Sequence, residues 1–277
     1  MVLESLIKAR NAERHPFYVL LLGLLYGATG LFFDLFVFGG KLPNLFVFIT
    51  VFASIPLMYK MINMEGKKEK IYKKEMTILQ EHAKALTAFV ALFFGILISF
   101  TAGYMLLSPE TAEHIFAFQH QDILSIHTNI GGRVVAPDFF HALLLNNLKV
   151  LFFSFIFSFF FGAGAIFILT WNASLIAAAL GSFLRTWLSP GSSFSYALGT
   201  ISYGFMGYLF HGLFEIVAYF IAGLAGGVIS VAVIRHDLFH KNFLRIVNDA
   251  LWLLALSVIF LVLGAVAEAY LSPLLFP

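Results

Sequence analysis

Apolar runs follow one another along nearly the whole chain, separated by short polar connections. A helix needs about 20 predominantly apolar residues to cross the hydrocarbon of a bilayer. Runs of about that length or longer fall at about 17–38, 42–59, 85–107, 139–170, 211–234 and 250–271, with a shorter one at 173–188. Another short piece, at 194–210, carries Gly199, Gly204 and Gly207. The pattern predicts an all-α, polytopic transmembrane helical bundle.

The connections set the topology. Residues 1–16 carry Lys8, Arg10 and Arg14, and the segment Lys60–Lys84 holds seven lysines against four glutamates. A third basic loop runs from Arg235 to Arg245, whereas Glu110–Phe140 holds four acids and one base, Arg133. Basic loops stay on the cytoplasmic side. That puts the N-terminus inside and Glu110–Phe140 outside. The long fourth run ends inside, with a break expected at Trp171-Asn172, so an even number of crossings must lie between it and the Arg235 loop. Phe194–Phe210 is therefore read as a re-entrant or interfacial helix on the outer side. The count becomes about seven crossings, with six as the alternative, and the C-terminus falls outside the cell membrane. Pro56 is expected to kink or terminate the second span. Asp34 is expected near the outer end of the first, within reach of water or headgroups.

Within this layout residues 1–84 form an N-terminal two-span hairpin plus a basic cytoplasmic helix, and 85–277 form the membrane core. Tyr72, Met76 and Leu79 share one helical face. The Lys60–Lys84 segment thus reads either as a solvated cytoplasmic helix or as a surface helix attracted to anionic lipid. Gly23–Gly27 and Gly223–Gly227 are GxxxG spacings, which let two helices approach closely, within the chain or in a homodimer.

Composition narrows the function. Charged residues make up 12% of the 277 residues, about half the usual share in a soluble domain. The net charge of +2 gives no footprint for nucleic acid, and the absence of cysteine excludes thiolate chemistry and cysteine metal sites. His114, His120 and His127 are six and seven residues apart, which is not zinc-ligand spacing. The stretch His211–Glu215 offers one histidine and one glutamate, whereas HExxH needs two histidines. No catalytic residue, metal or cofactor is expected, and the chain is read as a non-enzyme.

The candidate chemistry lies in six polar groups written into apolar sequence: Asn146, Asn147, Lys149, Arg185, His211 and Glu215. A charge at the centre of a spanning helix costs roughly 2.5–3.5 kcal/mol on insertion scales. Lys149 lies about nine residues into the fourth span, roughly 13 Å deep at ~1.5 Å per residue. His211 and Glu215 open a span that descends from the same side. Asn146 and Lys149 share one helical face, as do His211 and Glu215. The expectation is that Lys149 and Glu215 neutralise one another, directly or through Asn146, Asn147 or His211. Such a cluster serves either as a clasp that fixes helix packing or as a polar cavity for an ion, proton, headgroup or partner segment. Glu268 is placed near the outer end of the last span.

Certain residues carry a family resemblance. Asn146-Asn147 heads a long apolar helix, Gly162 and Gly164 follow it, and Asn172 precedes a small-residue run. His211-Gly212 and Glu215 are followed by Ala218 and the glycine-rich stretch Ala222–Gly227. This pattern resembles the stage II sporulation protein M family over about residues 85–270. The chain departs from it at Ala173, where the family often has glycine. The resemblance implies an integral membrane protein. Members in spore-forming bacteria act as membrane scaffolds that recruit cell-wall hydrolases during engulfment, and most others have no assigned activity. The reading is a membrane scaffold or membrane-organising protein whose partners are the bilayer and a second copy or another protein. The alternative is a transporter or channel with a polar site built around Lys149 and Glu215.

Overall fold

The computed structural model describes residues 9–68, 78–122, 136–161, 164–187, 194–234 and 241–271. The helices in chain order are α1 (Ala9–Arg14), α2 (Pro16–Phe32), α3 (Leu45–Lys68), α4 (Ile78–Leu106), α5 (Pro109–Ile115), α6 (Ala136–Phe161), α7 (Ala165–Trp187), α8 (Phe194–Ile234) and α9 (Lys241–Val266). Short π-helical turns, Phe33–Val37 and Ala267–Leu271, extend α2 and α9. Among the described residues seven helical stretches are long and apolar enough to cross a membrane: Pro16–Val37, Leu45–Glu65, His82–Leu106, Phe140–Phe160, Ala165–Arg185, Gly212–Ile234 and Phe243–Tyr270. The protein is a multi-pass all-α membrane protein with the seven spans expected.

Three boundaries differ from the sequence reading. α6 ends at Phe161 and α7 begins at Ala165, so Trp171-Asn172 lies inside a continuous helix. Asn172 is accommodated there because its side-chain amide donates to the Ile168 carbonyl one turn back, at 2.8 Å. Pro56 sits inside α3, which continues beyond it to Lys68. Residues 194–210 are the first part of α8 and run without a break into the sixth span. At 41 residues and ~1.5 Å rise, α8 is roughly 60 Å long, about twice the hydrocarbon thickness.

Glycine makes the tightest contact. α2 and α4 cross backbone to backbone, where a Cβ at Gly23 would strike the Leu92 carbonyl and one at Gly95 the Leu20 carbonyl. A Cβ at Gly27 would lie 2.8 Å from that of Ser99. The first GxxxG spacing thus joins two helices of the same chain. Small side chains at a crossing let dispersion contacts accumulate where lipid offers no hydrophobic drive. α8 is the central helix, with 83% of its span buried against 22% of the α6 span. It packs chiefly on α6 and α9, and also on α3 and α7. Gly223 faces Ala165 of α7, while Gly226, which belongs to the glycine-rich stretch but to neither GxxxG spacing, lies against the α6 backbone at Phe155 and Phe159. Gly227 is buried on the same helix.

Replacing Gly95 with leucine is expected to force α2 and α4 apart, at a cost of about 1–3 kcal/mol or more. Gly212, with open space where its Cβ would stand, is the control. In detergent the thermal midpoint should fall for Gly95→Leu and stay unchanged for Gly212→Ala. Equal midpoints would contradict the crossing.

Candidate functional site

At one end of the bundle three helices bring polar groups together. α6 presents a buried stripe of Asn147, Leu151, Ser154 and Ser158, spaced four, three and four residues apart, toward the bundle interior. Asn147 heads that stripe with 6% of its surface exposed. Its side-chain amide donates a hydrogen bond to Glu215 Oε1 on α8. Its own Oδ1 accepts from the Asn146 amide at 3.5 Å. From α9, Glu268 lies within electrostatic reach of Glu215, and Tyr219, one turn beyond Glu215, feels both carboxyl groups. Phe140 and Tyr270 meet with ring centroids 6.1 Å apart, fixing the start of the α6 span against the end of the last.

Lys149 is not the partner of Glu215. Asn147 and Lys149 are two residues apart, which is about 200° around a helix. Only one of them can face α8, and Asn147 does. Lys149 and Asn146 share a face, as the spacing predicts, but it is the exposed one. Among the described residues no ion pair includes Lys149. The side chain of His211 lies outside the described residues, although its backbone is part of α8.

Further polar ties lie elsewhere in the bundle. Arg185, near the end of α7, caps the C-terminus of α4. Its Nη2 donates to the Tyr104 carbonyl and, at 2.7 Å, to the Leu107 carbonyl, while its guanidinium stands 4.9 Å from the centre of the Tyr104 ring. A cation there satisfies orphan carbonyls and complements the helix dipole. Beyond it, the Tyr104 hydroxyl meets His120 Nε2 at 3.0 Å, and Gln119 donates to Ser174 Oγ at 2.9 Å. Asp34, expected to be wetted, is fully buried. Its Oδ2 accepts the Phe46 amide at 3.1 Å and so caps the start of α3.

Glu65 and His82 form a contact that the sequence reading misses. His82 Nδ1 lies 2.6 Å from Glu65 Oε2, with both side chains fully enclosed. Both residues fall in the lysine-rich segment, which reads as a polar connection. The signal is nonetheless present: Met58, Met61 and Ile62 lead to Glu65 at helical spacing, and Ala85, Leu86 and Phe89 continue from His82. All six apolar residues are buried. Tyr72 and Met76 lie outside the described residues, as does His127. Among the described residues no group of three metal-ligating side chains occurs.

Residues 85–273 match the family model described as stage II sporulation protein M. The chain belongs to the stage II sporulation protein M family. No curated protein and no solved structure gives a match. The match takes in α6 to α9 and hence Asn147, Glu215 and Glu268. The first two spans precede it.

Two outcomes follow from this geometry. Asn147→Leu should leave the Glu215 carboxyl without its donor and destabilise the bundle by about 1–3 kcal/mol, whereas pairing it with Glu215→Leu should recover most of the loss. A thermal melt of the four-member set checks this, and strict additivity would count against the bond. The second outcome concerns pH. Burial holds the His120 imidazole below its usual range, with Glu113 pulling the other way. The fold therefore favours neutral His120. Its contribution should be present above the ordinary imidazole value of about 6.5 and lost as pH falls through the lower folded value. The melting difference between wild type and His120→Asn should shrink on acidification over that window.

Proposed function

We propose that this protein is a non-enzymatic membrane scaffold, with its N-terminus in the cytoplasm and its C-terminus outside the cell membrane. The observation that supports this most is where the buried polar groups spend their hydrogen bonds. Asn147 binds Glu215 across two helices, Arg185 binds the end of α4, Asp34 binds the start of α3, and Glu65 meets His82. Each tie runs from one helix to another, which holds a shape. The basic residues of the connections support the orientation.

A second reading keeps one specific observation in its favour. Glu215 and Glu268 put two carboxyl groups in electrostatic reach of one another inside the spans, and intramembrane carboxyl groups mark many ion and proton paths. In that case the site is built around Glu215 and Glu268, with Lys149 outside it.

Purified protein in sealed vesicles separates the two. With pH-, sodium- and potassium-sensitive dyes inside, the scaffold reading expects leakage equal to that of empty vesicles. A flux that disappears in Glu215→Gln would reject the scaffold in favour of transport.

A further inference from the structure

The outward face of α6 carries what the inward face does not use. Along it run Asn146, Lys149, Phe153 and Phe160, all exposed and spaced three, four and seven residues apart. Leu145 and Phe152 flank the line and are exposed as well. This is the least enclosed of the seven spans. Lys149 is the tenth residue of the span Phe140–Phe160, about 13 Å in at ~1.5 Å per residue. The apolar stretch Phe140–Phe160 is 21 residues, about the length that crosses a hydrocarbon layer of roughly 30 Å, and Lys149 is near the middle of that stretch. A lysine stem snorkels readily from near a helix end, and from mid-depth only with local thinning or water defects, so a charge there still costs roughly 2.5–3.5 kcal/mol. An ammonium at mid-depth, with an amide one turn above it, needs a counter-charge that the described part of this chain does not provide.

We propose that this face docks the transmembrane helix of a different protein, one that carries a glutamate or aspartate at mid-membrane depth opposite Lys149. The proposal rests on the scaffold reading and names the chemistry of its partner. Charge decides against a second copy. A two-fold contact centred on this face uses the same patch on both copies, so it sets two Lys149 ammonium groups at equal depth and offers them no carboxyl among the exposed residues of the face. Like charges in hydrocarbon repel strongly. A carboxyl on the partner neutralises the ammonium, Asn146 adds a hydrogen-bonding group beside it, and the phenylalanines below pack against the rest of the partner helix.

The test uses full-length protein in phosphatidylcholine vesicles with three synthetic 23-residue polyleucine helices, each carrying a fluorophore. One bears glutamate at its midpoint, one glutamine and one leucine. Energy transfer from a donor on the protein reads association. The expected result is about tenfold tighter association of the glutamate helix than of the leucine helix. Lys149→Met should bring it down to the leucine value. Lys149→Glu should reverse the preference toward a helix with lysine at its midpoint. Because Lys149 is exposed, these variants should keep the wild-type melting temperature, and Phe153→Ala provides a second, uncharged probe of the same face. Equal association of the three helices, or no effect of Lys149→Met, means that the ammonium is served by lipid and overturns the proposal. Lys149-dependent transfer between two labelled copies of the protein overturns it in favour of self-association. Protein that is impermeable to ions yet ignores the glutamate helix refutes the docking face alone and leaves the scaffold standing.

Discussion

A polar side chain in hydrocarbon must bond either a carbonyl one turn back in its own helix, as Asn172 and Thr50 do, or a group on another helix. Water is absent, backbone groups are already bonded within their own helix, and an unmet donor or acceptor costs several kcal/mol. That constraint accounts for the contacts that join the bundle. Asn147 reaches Glu215, Arg185 reaches the carbonyls at the end of α4, and Asp34 reaches the amide that opens α3. Each pairing names one neighbour and one depth. Apolar packing among phenylalanines and leucines is strong in sum but indifferent to register. The polar contacts supply the register.

Glycine makes the second contribution, and it works by absence. Where Gly23 meets Gly95, and where Gly226 meets the α6 backbone, side chains are missing so that main chains can touch. Close approach multiplies dispersion contacts and shortens the reach that a side chain such as Asn147 must cover. The two devices act together at α8, which meets α6 through Gly226 and through Glu215.

Depth is legible in the sequence, and phase is not. The seven spans can be counted because a soluble fold has little use for an apolar run of membrane length. The α6–α7 boundary is misplaced because glycine and alanine at residues 162–164 read as apolar, while the indole and amide of Trp171-Asn172 read as a break. A helix can carry Trp171 and Asn172 without interruption; hydropathy cannot see that. Depth and sign match Lys149 to Glu215. Matching by angle selects Asn147 instead, whose stripe with Leu151, Ser154 and Ser158 repeats at helical spacing. Glu65 and His82 are hidden by composition, since lysines nearby outweigh the buried stripes leading into each residue.

The same angular argument gives α6 two functions. A helix with polar groups at adjacent positions must show some of them on each side, whatever its neighbours. Asn146 and Asn147 are about 100° apart, so one amide turned inward leaves the other turned away. Placing Lys149 on Asn146's side rather than Asn147's is therefore a statement about which face the charge serves. A charge meant for the interior of this bundle would stand at residue 147, 151 or 154, where α8 is within reach. At residue 149 it strengthens nothing inside the chain and makes insertion harder. The internal clasp and the outward charge are thus separate features of one helix, and loss of either should leave the other working.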